Sequence, residues 1–212
     1  MRSYGQYCAI AKALDLVGDR WTLLIVRELL LSGPRRYTDL RNALPGIATN
    51  LLAARLRELE GAGILRSESA PPPVATTLYA LTERGAALEP VLRELGRWGV
   101  PMMAAGPAAD DHFRSHWLSF PVSEFLSDRD PDSPPLAIEL RAGEDPVTVE
   151  VRDGSVHVEP GPAADPGLVL EASPHVILGL FAGALDLAGA RARGLRTRGD
   201  AGLLRRVRPE AA

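Results

Sequence analysis

The sequence has one cysteine, Cys8, and one lysine, Lys12, among 212 residues. A single thiol excludes an intrachain disulfide framework and suits a reducing compartment. Long apolar runs are missing from the first helical stretches. Leu23 to Val26 and Leu29 to Leu31 are separated by Arg27 and Glu28, far short of the ~20 residues of a membrane span. Residues 1–5 carry no apolar signal segment, so a cytoplasmic protein with no membrane partner is expected. The chain also lacks a nucleophile elbow, zinc-ligand spacing, a phosphate loop and a dinucleotide fingerprint. Asp128 and Asp130 sit in a proline-rich loop, a poor frame for acid/base chemistry. His112 and His116 are four apart but have no third ligand, which reads as a solvated pair rather than a metal site. Neither an enzyme nor a cofactor is expected.

What is present is an ordinary globular composition, 46% hydrophobic and 24% charged, with a lopsided charge. Residues 1–100 hold 13 Lys/Arg against 10 Asp/Glu, whereas residues 101–212 hold 11 against 17. Phosphate attraction acts over roughly 8 Å in physiological salt, so a weakly basic first half is compatible with DNA despite the overall charge of -3. The length fits two domains, 1–105 and 110–212, with a linker over residues 106–111.

Apolar spacing predicts helices over residues 8–17 (Ile10, Leu14, Val17), 20–31 (Trp21, Leu24, Ile25, Leu29) and 37–44. A fourth starts at Thr49-Asn50, whose side chains can satisfy free backbone N–H groups, and carries Leu52, Leu56 and Leu59 at i, i+4, i+7. That stripe leaves Thr49, Asn50, Ala53, Ala54 and Arg57 facing outward. Strands follow over 64–69 and 76–81, around a loop containing three prolines. A helix over 83–103 comes next, kinked by Pro90 or truly starting there. Beyond the linker, residues 112–126 read as mixed helix. Residues 136–140, 147–151, 155–159 and 168–171 read as strands, with Asp153-Gly154 as a hairpin turn. Pro174 opens a helix through Leu187, and 191–207 reads as a basic tail.

A helical group ending in an amphipathic helix and followed by a hairpin is a winged helix-turn-helix layout. Its last helix fits a DNA major groove, where residues near the N-terminus reach base edges. Thr49, Asn50 and Ala53 are the candidates, with Arg57 one turn on. Arg35, Arg36 and Thr38 flank a helix start and suit phosphate contact. Arg55 and Arg57 are candidates too, the alternative being ion pairs Arg55–Glu58 and Arg57–Glu60. For Thr49 and Asn50 the alternative is simple capping.

These segments resemble the HxlR-type regulators, relatives of the MarR group. The resemblance rests on residues 8–29 (CAIAKALDLVGDRWTLLIVREL), 36–40 (RYTDL), 44–47 (LPGI), 50–60 (NLLAARLRELE), 63–65 (GIL) and 79–85 (YALTERG). It implies a homodimer, joined through the first and last helices of the domain, binding a pseudo-palindromic operator in double-stranded DNA. The wing loop 70–75 departs from the pattern in lacking Lys or Arg; Arg66 at its base is left as a phosphate contact. Cys8 matches a position where some members carry a redox-sensing thiol, with Lys12 the nearby cation; the other reading is a buried, inert cysteine. Trp21 and Trp98 are read as anchors of the packing between early and late helices, within one copy or at the dimer interface, the alternative being pocket residues.

The second half resembles the sterol-carrier-protein-like fold through residues 153–158 (DGSVHV), 165–174 (DPGLVLEASP), 177–183 (ILGLFAG) and 194–200 (GLRTRGD). This implies a curved sheet covered by helices around an apolar tunnel. Leu178, Phe181 and Leu185 share a helical face that would line a pocket for an apolar effector or simply be core. The expected fold is therefore α+β: a winged helix-turn-helix followed by a smaller sterol-carrier-like α+β domain. The expected function is a ligand-responsive DNA-binding regulator. The alternatives are a thiol-based redox regulator, or an apolar-ligand carrier with vestigial DNA binding.

Overall fold

A computed structural model describes residues 3–69, 76–103 and 106–207. The chain divides into two compact units, Met1–Leu92 and Arg93–Ala212. The wing loop 70–75 lies outside the described residues.

The first unit opens with α1 (Ala9–Val17) and α2 (Thr22–Ser32). The expected 3.6-residue spacing in α1 is real, but its stripe faces outward. Ile10 is 72% exposed and Leu14 43%, whereas Ala11 and Val17 are buried. In α2 the buried face is Ile25, Val26, Leu29 and, unexpectedly, Glu28; Leu24 is exposed, correcting its assignment to the inner face. Glu28 tolerates burial because Arg27 gives it two charge-assisted bonds, Nε at 3.0 Å and Nη2 at 2.6 Å. Trp21 precedes α2 with φ 79°, a left-handed conformation unusual for a bulky residue. The Arg20 guanidinium lies 5.5 Å over its ring. Trp98 is 68% exposed.

A two-residue strand, β1 (Arg35–Arg36), was not foreseen. It leads into α3 (Tyr37–Ala43), then α4 (Thr49–Gly61), β2 (Leu65–Ser69) and β3 (Thr77–Leu81). The strands form an antiparallel sheet in the order β1-β3-β2, with Arg35 opposite Tyr79 and Leu65 opposite Leu81. Leu52, Leu56 and Leu59 of α4 are all buried, as their spacing required. At ~1.5–3 kcal/mol per buried leucine side chain, this stripe is a main anchor of the helix. They join Ile25, Leu40, Leu44 and Ile64 in one core. A four-residue helix α5 (Glu83–Ala86) follows, capped by Thr82, whose Oγ1 accepts from Gly85 N at 3.1 Å. Gly85 is required there because a Cβ would stand 2.1 Å from the Ile64 carbonyl oxygen. Of the two readings of residues 83–103, a true start at Pro90 agrees with the structure: α6 (Glu89–Gly99) starts one residue before Pro90, where the missing N–H costs nothing.

In the second unit a 3-10 turn (Ser115–Leu118) runs into α7 (Ser119–Phe125). Then come β4 (Leu136–Arg141), β5 (Val147–Arg152), β6 (Ser155–Pro160) and β7 (Leu168–Glu171). α8 (Pro174–Phe181), α9 (Leu187–Ala192), β8 (Arg196–Gly199) and α10 (Leu204–Val207) complete it. The sheet order is β6-β5-β4-β7-β8; only the β4–β7 pair is parallel. Asp153 (φ 52°) and Gly154 (φ 74°) form the expected hairpin turn, both residues at positive φ. β8 lies within the stretch read as a basic tail. Its core joins Ile138, Leu140, Val149, Leu170, Ile177 and Phe181. Two hydroxyls buried beside it, Ser115 Oγ and Ser119 Oγ, have no hydrogen-bond partner among the described residues. Asp128, its side chain inaccessible to solvent, is held bidentately by Arg206 at 2.8 and 3.0 Å. Among the described residues no helix is long and apolar enough to cross a membrane.

Candidate nucleic-acid interface

The surface that matters is built by α3, the turn after it, and α4. Arg36 donates its backbone N–H to the Asp39 carboxylate (3.3 Å), which fixes the start of α3. Leu44 and Ile47 are buried on either side of the turn, and Gly46 supplies φ 85°. Tyr37 then ties the two helices together, its phenol donating to the Thr49 carbonyl at 2.7 Å. Sequence reasoning missed this role; the signal was an aromatic polar side chain at the first residue of one helix, facing the first turn of the next.

α4 begins at Thr49 with Ala48 as its cap residue, so neither Thr49 nor Asn50 is the N-cap that the sequence suggested. Asn50 Oδ1 instead accepts from the adjacent Leu51 N–H at 2.9 Å. Thr49, Asn50 and Arg57 are exposed and Ala53 is half-buried, giving an outward strip one helical face wide. Arg57 makes no ion pair among the described residues; Glu60, its expected partner, accepts instead from Ser67 Oγ (2.6 Å) and Ser67 N (3.1 Å). Arg55 is different. Its guanidinium is bonded to Asp19 and Glu58, the second being the helix pair anticipated at i, i+3.

Arg35, Arg36 and Thr38 are exposed around the start of α3, and none makes a side-chain hydrogen bond or ion pair among the described residues. Arg41, also exposed on α3, was overlooked although it is the third arginine within seven residues. Arg66 is committed to its own hairpin, donating to Glu68 Oε1 (2.6 Å) and the Leu81 carbonyl (2.7 Å). The result is a helix whose exposed face begins with short polar groups and is bordered by uncommitted guanidiniums. That arrangement suits a polyanion whose grooves admit a helix.

The HxlR-like helix-turn-helix profile matches residues 16–106. The uncharacterized HTH-type transcriptional regulator YvaP of Bacillus subtilis (strain 168) is 38% identical over 87 residues, covering 41% of this chain and 80% of YvaP. The chain belongs to the HxlR-like helix-turn-helix family. The HTH-type transcriptional regulator YodB of the same organism is 37% identical over 86 residues, spanning 41% of this chain and 76% of YodB. The reduced form of YodB from B. subtilis, a solved structure, aligns with a TM-score of 0.42 at 33% identity, over 48% of this chain and 100% of that one.

In this HxlR-like chain Cys8 precedes α1 and is exposed, which corrects the reading of a buried thiol. Its pKa is lowered chiefly by backbone N–H groups of Ala11 and Ile10, not by Lys12, which lies 4.0 Å from Asp15. In the second unit Leu178 and Phe181 are buried core residues of α8, and Leu185 packs against that core. Among the described residues no group of three or more His, Cys, Asp or Glu is placed to hold a metal ion.

Proposed function

We infer that this member of the HxlR-like family is a DNA-binding transcriptional regulator whose α4 enters the major groove of its operator. The observation that carries the reading is the exposed strip of Thr49, Asn50, Ala53 and Arg57, flanked by uncommitted Arg35 and Arg36. A carboxamide at Asn50 can pair with the N6/N7 edge of adenine, and guanidiniums at 35 and 36 can meet phosphates without reading sequence. Thr38 and, once freed from their internal partners, Arg55 and Arg66 are secondary contacts. The protein acts by binding rather than by catalysis, and in the cytoplasm.

The operator is pseudo-palindromic and the regulator a homodimer in this reading. Its support is exposed apolar surface on the helices expected to join two copies: Tyr7 and Ile10 at α1, and Val91, Leu95 and Trp98 on α6. We assign DNA binding and dimerisation to residues 1–105 and effector binding to a sterol-carrier-like domain over 110–212. The five-stranded sheet and the apolar α8, with Leu178, Phe181 and Leu185, support that assignment. An effector can change operator affinity only by binding the competent and incompetent dimers unequally.

Footprinting on neighbouring promoter DNA, followed by anisotropy across a salt series, tests the core of this reading. A protected palindrome and a steep fall of affinity with salt are expected, because phosphate contacts release counterions. Salt-insensitive or absent duplex binding refutes it. Displacement of a fluorescent fatty acid from the full chain tests the effector assignment.

A second reading, thiol-based regulation, is favoured by one observation: Cys8 is exposed and its thiolate is stabilised by two backbone N–H groups. With one cysteine per chain, oxidation would give an intersubunit disulfide or a small-thiol adduct. Oxidant-sensitive operator binding that disappears in Cys8→Ser supports this reading; identical oxidant responses in the two proteins exclude it.

A further inference from the structure

The first unit contains a cleft of about 530 Å³ beside Arg55 and Glu58 of α4. Ser3 and Tyr4 form one wall, Leu14, Asp15, Gly18 and Asp19 at the end of α1 another, and Arg55 and Glu58 of α4 the third. The volume lies within the range of small-molecule sites, about 300–1,000 Å³. Its walls carry three carboxylates against one guanidinium. Lys12, 4.0 Å from Asp15, is the nearby compensating cation and does not itself line the cleft. Tyr4 and Leu14 add an apolar flank, and both are exposed.

Arg55 is the unusual member. A single nitrogen, Nη1, is shared between Asp19 and Glu58, while Nε is buried and has no hydrogen-bond partner among the described residues. A buried donor without an acceptor is a cost to the resting arrangement. Arg55 thus sits as an internal cation in an acidic cleft, incompletely satisfied, and pins α4 to the segment joining α1 to α2. Asp15 is already fixed by Ser3 Oγ (2.8 Å) and Tyr4 N (2.7 Å), so Asp19 and Glu58 are the carboxylates open to exchange.

We propose that this cleft binds a small organic ammonium ion, its charge on Asp19 and Glu58 and its apolar body against Tyr4 and Leu14. In doing so it displaces Arg55 and alters how α4 is held. The binding claim stands on the cleft alone; the effect on DNA rests on the reading of α4 as the groove-entering helix.

The test is a ¹H–¹⁵N NMR titration of the full chain with phenethylammonium, with phenethyl alcohol and phenylacetate run in parallel. Saturable shifts at Tyr4, Asp19 and Glu58 are expected with the ammonium, at least about tenfold weaker binding with the alcohol, and none with phenylacetate. Glu58→Gln should weaken ammonium binding by about tenfold, equivalent to about 1.4 kcal/mol, whereas Arg55→Gln should tighten it by removing the internal competitor. Absence of saturation, equal affinity for the alcohol, or weaker binding to Arg55→Gln overturns the site. Operator affinity should then change with phenethylammonium in the parent chain and not in Glu58→Gln. Binding without any such change refutes the coupling, while a chain that binds the ammonium and no duplex refutes the regulator reading and leaves the site standing.

Discussion

Replacing Tyr37 by Phe isolates the bond that sets where α4 begins. The ring is half-buried against the first core and remains in place, so no cavity opens and the change removes one O–H donating to Thr49 O at 2.7 Å. A neutral hydrogen bond contributes about 0.5–1.5 kcal/mol net, and this one is reachable by water, so the lower end, about 0.5 kcal/mol, applies. For a unit of this size that is a fall of about 2–4 °C in melting temperature. The carbonyl concerned belongs to the first residue of α4, beside Asn50, so loosening it should also cost operator binding about twofold per subunit, the same free energy converted. No phosphate contact is lost, so the slope of log affinity against log salt should be unchanged. Melting and fluorescence anisotropy on operator and random duplex, across a salt series, give all three numbers. A fall in melting temperature beyond about 8 °C would mean the ring rather than the hydroxyl was disturbed. An altered salt slope, or full operator affinity, would show that this bond does not position the recognition surface.

Arg36→Ala should weaken binding to every duplex and reduce the salt slope by about 1 per subunit, whereas Asn50→Ala should lose operator preference with the slope intact; equal losses of Asn50→Ala on operator and random DNA would remove it from base reading. Ser119→Ala deletes a buried hydroxyl that has no partner among the described residues, so denaturant unfolding should show unchanged stability or a gain of up to about 1 kcal/mol. Acid should destabilise the second unit in a defined direction. Glu124, bonded by Arg97, and Asp128, bonded by Arg206, both have lowered carboxyl pKa values. Their contribution is therefore complete above the ordinary carboxylate range near pH 4 and is lost as pH falls through the lowered folded values. Asp128→Asn should flatten that acid limb in a pH series of melting curves; an unchanged limb would place the acid sensitivity elsewhere.

The sequence made some of this plain and hid the rest for identifiable reasons. Leu52, Leu56 and Leu59 located α4 because helical spacing and burial agree there, and Asp153-Gly154 located a hairpin because few other residues accept positive φ in succession. The same spacing in α1 revealed a helix but not that Ile10 and Leu14 face outward, since periodicity is blind to what covers a stripe. Glu28 escaped notice because a charge on a core face contradicts the hydropathy rule unless its arginine partner is known. β1 is too short for any period, and β8, Arg-Thr-Arg-Gly on a sheet edge, has the composition of a tail. On the interface, Thr49, Asn50 and Arg57 were legible as an exposed face, while Tyr37 and the engagement of Arg55 with Asp19, 36 residues away, required the tertiary structure.

The parallel pairing of β4 with β7 has a consequence for assembly. Ile138 lies opposite Leu168, so the middle of the five-stranded sheet joins strands separated by a whole hairpin, and its edge waits for Arg196–Gly199. Such distant pairing is slow; the β2–β3 hairpin of the first unit pairs locally, although β1 reaches β3 across a comparable stretch of chain, Arg35 lying opposite Tyr79. During synthesis the first unit can therefore emerge and fold while the later sheet is still unfinished, leaving the β4–β5–β6 meander with an open strand edge for chaperones to shield.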